Sequence, residues 1–302
     1  LHEQLGKGSY GTVYRAIDTS LKRVVAVKVL HPQLMVDETF VQRFIEEAQT
    51  LASMDHPNIV TIYELGEIEG RVLIAMRYLS GGSLEQLLLK HGAVPYFRTK
   101  EIMKQLCHGL QYAHDQNLVH RDIKPANILL DNRGEVVISD FGLARAVHLS
   151  SSSTNISGTP AYRAPELWRR NSPVSPATDV YSLGCVLFEM LTGKALFDGE
   201  TPDEILTQHL IEGPRLPGQW PAGVPNGISN VLIKALDKNP SYRQQNAFTL
   251  FTELNAISIG QPEPDQTGKR EKIIKYSPAN TLTVPISSGV SMEFLRIPEG
   301  KF

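Results

Sequence analysis

Cysteine is nearly absent from this 302-residue chain: only Cys107 and Cys185 occur, far apart and without CxxC spacing. That excludes a disulfide framework and a cysteine-based zinc site, and reads both as reduced core residues of a cytoplasmic domain. No run approaches the roughly 18 consecutive apolar residues that a membrane span needs. An excess of one charge is missing too. With 30 basic and 32 acidic side chains the net charge is −2, which offers nucleic acid or an acidic membrane no whole-chain attraction. No internal repeat is found, and no initiating methionine: the chain starts at Leu1-His2-Glu3, already strand-like, as expected of a fragment of a longer protein. The missing signal peptide therefore decides nothing. What remains is ordinary, 41% apolar and 21% charged, the composition of a soluble globular protein with room for two lobes.

Residues 1–30 read as three strands joined by tight turns. Gly6, Gly8 and Gly11 stand at GxGxxG spacing within Gly6-Lys7-Gly8-Ser9-Tyr10-Gly11-Thr12-Val13. Glycine lets the backbone approach a phosphate and supplies the positive φ of a hairpin. Dinucleotide-binding folds share the spacing, but there the last glycine opens a helix. Here the β-prone Val13-Tyr14-Arg15-Ala16 follows, which favours a hairpin flap; a turn that merely needs glycine explains the stretch equally well when it is taken alone.

Val24 to Leu30 is apolar except for Lys28. A buried ammonium is costly without an anion, so Lys28 either guards a sheet edge or has an acidic partner. In the helix expected over 38–54, Phe40, Phe44, Glu47 and Leu51 share one face, with Glu46 about 100° away. Glu47 is thus the candidate partner for Lys28, unless it reaches water from the flank of the stripe. Two further strands are expected at Ile59–Ile62 and Val72–Met76. Tyr78-Leu79-Ser80-Gly81-Gly82 then breaks the pattern before the capping box Ser83–Gln86, which puts a lobe boundary after Leu79. A helix is expected from Arg98 to Gln116, with Ile102, Leu106, Leu110 and Ala113 on one stripe.

His120-Arg121-Asp122-Ile123-Lys124-Pro125-Ala126-Asn127 is a polar loop between the apolar runs Leu118-Val119 and Ile128–Leu130. It sets a carboxylate, an ammonium and a carboxamide at fixed spacing: Asp122, Lys124 and Asn127. A proton acceptor, a cation beside it and an oxygen donor for a hard metal suit phosphoryl transfer. Alone, a solvated turn with a proline would look the same. Val136–Ser139 reads as a short strand ending in Asp140-Phe141-Gly142. Residues 143–157 are polar, with Ser150 to Ser153, Thr154 and Ser157; this is a linker or, between ordered motifs, a segment controlled by phosphorylation. Ser175-Pro176 caps a helix whose Val180–Leu191 stretch is apolar nearly all round and so should be buried, with Asp179 in its first turn. Residues 200–256 read as helical, 257–290 as a linker, and 291–302 as the truncated start of a further domain.

Taken in order, these pieces resemble the eukaryotic-like protein kinases, the bacterial Ser/Thr kinases in particular. The resemblance covers residues 1–256 and is carried by the glycine-rich loop, Val25-Ala26-Val27-Lys28, His120-Arg121-Asp122, Asp140-Phe141-Gly142 and Ala164-Pro165-Glu166 in family order. It implies an α+β, two-lobed fold: a small antiparallel β lobe (1–79) with one key helix, a larger mainly helical lobe (80–256), and ATP between them. Gly6, Lys7, Gly8, Ser9, Tyr10 and Gly11 would cover the phosphates. Lys28 would hold the α- and β-phosphates and pair with Glu47. Leu5, Val13, Ala26 and Leu129 would sandwich the adenine, with Met76 as gatekeeper and Arg77, Tyr78 and Leu79 offering hinge backbone. Asp140 and Asn127 would ligate Mg²⁺, or Mn²⁺ in its place. Asp122 would accept or orient the substrate hydroxyl, Lys124 would stabilise the transferring phosphoryl group, and Thr159 would contact both.

Lys124 is what Ser/Thr kinases carry, so the implied partners are proteins bearing Ser or Thr, with no nucleic acid and no membrane segment in this stretch. His120 and Phe141, with Leu51 and Ile62, match the family's stacked regulatory spine. Asp179 resembles the anchor of the catalytic loop, and Glu166 would pair with Arg243. Arg77 stands where an acid is common and Gln244 where proline is frequent, and the first strand is incomplete. A pseudokinase scaffold would be expected to have lost Lys28, Asp122, Asn127 or Asp140; a dinucleotide-binding oxidoreductase fails on the strand after Gly11. Met292 to Phe302 is similar to the opening of formylglycine-generating-enzyme-like sulfatase-modifying domains, though a generic strand and turn gives the same pattern.

Arg121 precedes the catalytic aspartate, where the family's arginine receives an activation-loop phosphate through a bidentate contact. Autophosphorylation is expected within Ser150 to Thr154, a reaction that admits a dimer. Mass spectrometry after incubation with ATP and Mg²⁺ should place phosphate on that loop.

Overall fold

The computed structural model describes residues 3–8, 10–141, 160–169, 172–257, 281–287 and 290–295. Ser9, Gly142, Thr159 and the serine-rich stretch 150–157 lie outside them.

Five antiparallel strands form the first sheet, in the order β1-β2-β3-β5-β4: β1 Glu3–Lys7, β2 Gly11–Asp18, β3 Arg23–Leu30, β4 Ile62–Ile68 and β5 Arg71–Arg77. The glycine-bearing turn is therefore a hairpin between β1 and β2, closed by the Gly8 N–H donating to the Gly11 carbonyl at 2.9 Å. No helix follows Gly11, which removes the dinucleotide-binding alternative. Side chains alternate across a strand. Ala26, Lys28 and Leu30 thus share one face of β3, and the register sets Ala26 against Met76 and Lys28 against Ile74. Helix α1, Glu38–Ala52, opens with Asp37 accepting from the Phe40 N–H at 3.1 Å. It buries Phe40, Phe44, Glu47, Ala48 and Leu51, the face that the spacing predicts, and packs with Leu30, Val72 and Ile74.

Ile59 and Val60 depart from the expected strand. β4 starts at Ile62, while Ile59 bridges to Ile138 and the Val60 N–H donates to the Ile138 carbonyl at 2.9 Å. Asn58 Nδ2 donates to the Val136 carbonyl at 2.7 Å. Buried backbone groups must find partners, and here the second lobe supplies them.

That lobe contains α2 Leu84–His91, α3 Tyr96–Asp115, the hairpin of β6 Ile128–Leu130 with β7 Val136–Ile138, α4 Pro176–Thr192, α5 Pro202–Leu210, α6 Ile228–Ala235 and α7 Ala247–Asn255. The capping box opens α2 as expected: Ser83 Oγ accepts from the Gln86 N–H at 3.2 Å, and Gln86 Oε1 accepts from the Ser83 N–H at 3.1 Å. Helix α4 is buried from Ala177 through Phe188, as an all-round apolar helix must be. α3, α6 and α7 pack around it. The hinge between the lobes needs glycine at Gly81. Its N–H donates to the Leu130 carbonyl at 2.9 Å, and a Cβ there would fall 2.3 Å from the Asp131 carbonyl oxygen.

A separate unit, 260–302, contains β8 Thr281–Ser287 paired antiparallel with β9 Val290–Leu295. Strand pairing therefore starts within the stretch read as linker, where the β-branched Thr281, Thr283, Val284 and Ile286 favour extended backbone.

Arg243 is fully buried, and each side of its guanidinium is satisfied. Nη1 and Nη2 donate to Glu166 Oε1 and Oε2 at 2.8 and 2.9 Å, Nη1 also to the Ala177 carbonyl, and Nε to the Asp237 carbonyl at 2.7 Å. Gln244, in the place where the family often has proline, is buried too and donates to Glu253 Oε2 at 2.7 Å. Arg243→Ala leaves Glu166 as a buried unpaired carboxylate and should cost about 3–5 kcal/mol. Urea unfolding of wild type and variant checks that difference.

Candidate active site

The loop at His120–Asn127 is held from below by Asp179, in the first turn of α4. Its carboxylate accepts from the His120 N–H, the Arg121 N–H and His114 Nε2, each at 2.8 Å. Burial alone would push Asp179 up; the bond from His114 and the neighbouring imidazoles and amides outweigh it and hold the carboxyl below its usual range. The same bonds fix Arg121 at φ +69°, a left-handed conformation that costs a non-glycine residue about 1–2 kcal/mol.

His120 is a packing residue. The Asp122 N–H donates to Nδ1 at 3.2 Å, so Nε2 carries the proton and donates to the Ser139 carbonyl at 2.9 Å. Its ring lies 4.5 Å from that of Phe141, and burial lowers its pKa, which keeps the imidazole neutral. Leu51 and Phe141 belong to one core cluster, with Ile62 packed against it; of the four spine residues expected from the resemblance, His120 and Phe141 are in ring contact.

Asp122 Oδ2 accepts from Lys124 Nζ at 2.7 Å and from Asn127 Nδ2 at 3.0 Å. Asn127 also donates to the Asp122 carbonyl at 2.8 Å, while its own carbonyl accepts from the Ser139 N–H at 2.9 Å and from Ser139 Oγ at 3.0 Å. Ser139 precedes Asp140, so these bonds tie the two carboxylate-bearing motifs together. Asp140 sits at φ +59°, and its Oδ1 accepts from Lys28 Nζ at 2.8 Å. Burial opposes its charge, yet the Lys28 ammonium outweighs that and holds the carboxyl below its ordinary pKa. Lys28 is buried at 4% exposure, while the Asp140 side chain keeps 33% open. The anion that Lys28 requires is thus Asp140 in this structure. Glu47 lies on the buried face of α1, where the spacing put it.

Asp140 and Asn127 offer a carboxylate and a carboxamide, both hard oxygen donors. The ammonium already resting on Asp140 demonstrates that this carboxylate takes a cation, so the donor set fits an oxygen-liganded divalent metal.

Above them, Ala26, Val60, Met76 and Val137 form an apolar cluster with Val13, Ile62, Tyr78 and Leu79. Four of the residues expected around an adenine besides Val13 (Ala26, Met76, Tyr78 and Leu79) therefore come together. Leu129 is half-buried, paired with Val137, and Leu5 is 41% exposed on β1. Gly6, Lys7 and Gly8 are exposed. The glycines differ in kind. A Cβ at Gly11 would fall 2.4 Å from the Val29 carbonyl oxygen, so the sheet itself requires that glycine, whereas Gly6 has open space around it. Tyr10 turns inward, its ring 6.3 Å from Phe40; burial, with the field of Asp122, Asp140 and Glu47, pushes its phenol up to about 12.

Several contributors had no signal in the sequence. His114 is one histidine at the end of a helix. Asp131 reads as a turn residue, yet it lies 3.7 Å from Arg77 Nη2 and ties the hinge to the β6–β7 hairpin. Arg163 stacks 4.8 Å over Trp168, and its charge is felt by Tyr10 and Asp122.

A carboxyl depressed on folding adds stability above its unfolded pKa, near 4, and loses it as pH falls through the folded value. Asp179→Asn should therefore flatten the acid limb of the stability curve between about pH 5 and pH 2, as well as lower stability at neutral pH. Urea midpoints measured across that range check both.

A family model described as "Protein kinase domain" matches residues 1–252. Serine/threonine-protein kinase PknB of Mycobacterium leprae is 40% identical over 269 residues, which is 87% of this chain and 43% of that protein. PknB of Mycobacterium tuberculosis is 38% identical over 270 residues, with 87% and 43% covered. PrkC of Bacillus subtilis is 34% identical over 284 residues, with 93% and 43% covered. The chain thus spans less than half the length of these relatives. An anchored His-Arg-Asp loop, a lysine held on the aspartate of Asp-Phe-Gly and a match over residues 1–252 lead to one conclusion: this chain belongs to the protein kinase family.

Proposed function

We propose that this domain is an ATP-dependent serine/threonine protein kinase, moving the γ-phosphoryl group of ATP to Ser and Thr hydroxyls of proteins. One observation carries the reading: Asp122 is gripped by both Lys124 and Asn127, while Asp140, tied to Asn127 through Ser139, receives Lys28. Asp122 orients the substrate hydroxyl and takes its proton, and Lys124 beside it stabilises charge on the phosphoryl oxygens. Asn127 and Asp140 hold Mg²⁺, or Mn²⁺ in its place, and when bound this cation neutralises phosphate charge. With nucleotide present, Lys28 leaves Asp140 for the α- and β-phosphates and gains Glu47 as its carboxylate neighbour. Gly6, Lys7, Gly8, Ser9 and Tyr10 close over the phosphates. Leu5, Val13, Ala26, Met76, Leu129 and the backbone of 77–79 hold the adenine.

Thr159, outside the described residues, joins Asp122 and Lys124 when peptide is bound, and Arg121 receives an autophosphorylated residue from Ser150–Thr154, with a second copy as partner. The domain works in the cytoplasm. The paired strands at 281–295 belong to a unit separate from the kinase domain, and the stretch from Met292 has the sequence pattern that opens a sulfatase-modifying fold.

Transfer from [γ-³²P]ATP to a generic basic protein tests the assignment. Asp122→Asn should lower the rate by about 10²–10⁴-fold, and Lys28→Met should lower it comparably. Equal incorporation by wild type and Asp122→Asn would remove Asp122 from the mechanism.

A further inference from the structure

Asn226 and Gly227 lie in the loop that feeds α6, far in sequence from every residue assigned to phosphoryl transfer. They form the one Asn-Gly pair in the chain, and both are exposed. The stretch before them, Pro221-Ala222-Gly223-Val224-Pro225, is rich in turn formers, with Gly223 at φ +85°. A tight turn spans the pair: the Ile228 N–H donates to the Pro225 carbonyl at 3.1 Å, and the Ser229 N–H to the Asn226 carbonyl at 3.2 Å. Between those bonds the reactive groups are open. Among the described residues neither the Asn226 carboxamide nor the Gly227 N–H meets a hydrogen-bond partner.

The fold does not demand glycine at this place. Gly227 has φ −58° and ψ −17°, a conformation open to any residue. A Cβ there would fall 3.1 Å from Ile257 Cγ2, the tip of a side chain that needs to give only slightly. What glycine supplies is a backbone nitrogen with no side chain on the Cα beside it to hinder its approach. Asparagine is among the thermolabile residues, because its carboxamide carbon can be reached by the next backbone nitrogen. Local opening of an exposed turn lies at the low end of the stability range, so the folded chain reaches that geometry without unfolding.

We propose that Asn226-Gly227 is a site of spontaneous covalent modification, at which the folded chain converts asparagine to aspartate and isoaspartate with water as co-reactant. The Gly227 nitrogen attacks the carboxamide carbon of Asn226 and forms a C–N bond, closing a succinimide ring. The bond from that carbon to the side-chain nitrogen breaks, and ammonia leaves with the electron pair and the proton that Gly227 gives up. Water then opens the ring: its hydroxyl adds at either ring carbonyl, and its hydrogen goes to the ring nitrogen. Opening at the side-chain carbonyl gives aspartate. Opening at the main-chain carbonyl gives isoaspartate, whose longer main chain runs through the former side chain. That extra length falls at the entry to α6, where Ile228 is fully buried and Trp220 Nε1 donates to Ser229 Oγ at 2.8 Å. Because α6 packs on α4, the isoaspartyl product loosens the second lobe from this edge. The aspartate product instead sets a carboxylate before the first turn of α6, on the side that the helix dipole favours.

The folded chain is aged at neutral and at mildly alkaline pH, and each asparagine-containing peptide is followed by mass spectrometry, with fragmentation separating isoaspartate from aspartate. Asn226 should convert about ten-fold or more faster than the exposed Asn117, Asn132 and Asn230, each of which precedes a residue with a side chain. The rate should rise with pH, both products should form, and the urea midpoint should fall as isoaspartate accumulates. Gly227→Ala should slow the conversion by about ten-fold or more. Conversion no faster than at the three other asparagines, aspartate formed without isoaspartate, or an unchanged rate in Gly227→Ala would overturn the proposal. Should that variant fail to fold, the product ratio and the comparison among asparagines in the wild-type chain still decide.

Discussion

A carboxylate buried at the start of an apolar helix is the constraint on which the rest of this structure depends. Asp179 is fully enclosed, and an enclosed charge is costly unless its lone pairs are filled. They are filled by the backbone of His120 and Arg121 and by His114, so the His120–Asn127 loop is the counterpart that makes the burial tolerable. The same helix also holds residues 160–169. Arg243 donates to the Ala177 carbonyl while it grips Glu166, Ser182 Oγ donates to the Tyr162 carbonyl at 2.8 Å, and Tyr162 donates to Glu189 at 2.7 Å. Helix α4 is thus a common reference for the His120–Asn127 loop and for residues 160–169. The bonds from His114, the His120 N–H and Arg243 are buried, where a hydrogen bond is electrostatically stronger than in water.

The cleft balances its own charges. Asp122 and Asp140 bring negative charge to one region, and Lys124 and Lys28 answer it at bonding distance. Beside its contact with Lys28, Asp140 keeps a third of its side chain open. Tyr10 extends the coupling to the flap, since its ring rests near Phe40 on α1 while its phenol lies in the field of Asp122 and Asp140.

Much of this was legible before any fold was known. The α1 stripe, the Ser83 capping box and the all-apolar α4 are local patterns with fixed periods, and each appears where its period places it. The polar motifs were legible as chemistry but not as geometry. Lys28 announced a buried cation in need of an anion, yet its partner here stands 112 residues away, beyond the reach of any helical or strand period. Ile59 and Val60 read as strand from their side chains and proved to be claimed by Ile138, because backbone partners are decided by what is packed alongside.

The sequence by itself determined the residue types and their order: a glycine flap, a lone lysine in an apolar strand, a carboxylate–ammonium–carboxamide loop and a second aspartate at a strand end. Only the tertiary structure decided which of them act together and which groups support them. His114, Ser139 and Asp131 carry no signature, since a histidine, a serine or an aspartate is commonplace in any chain. Their roles arise when a buried carboxylate, a carboxamide and a hinge arginine come within hydrogen-bond or ion-pair distance. Gly11 and Gly81 show the same division: sequence marks both as glycine, but only the backbone packed against them explains why a Cβ cannot be placed there.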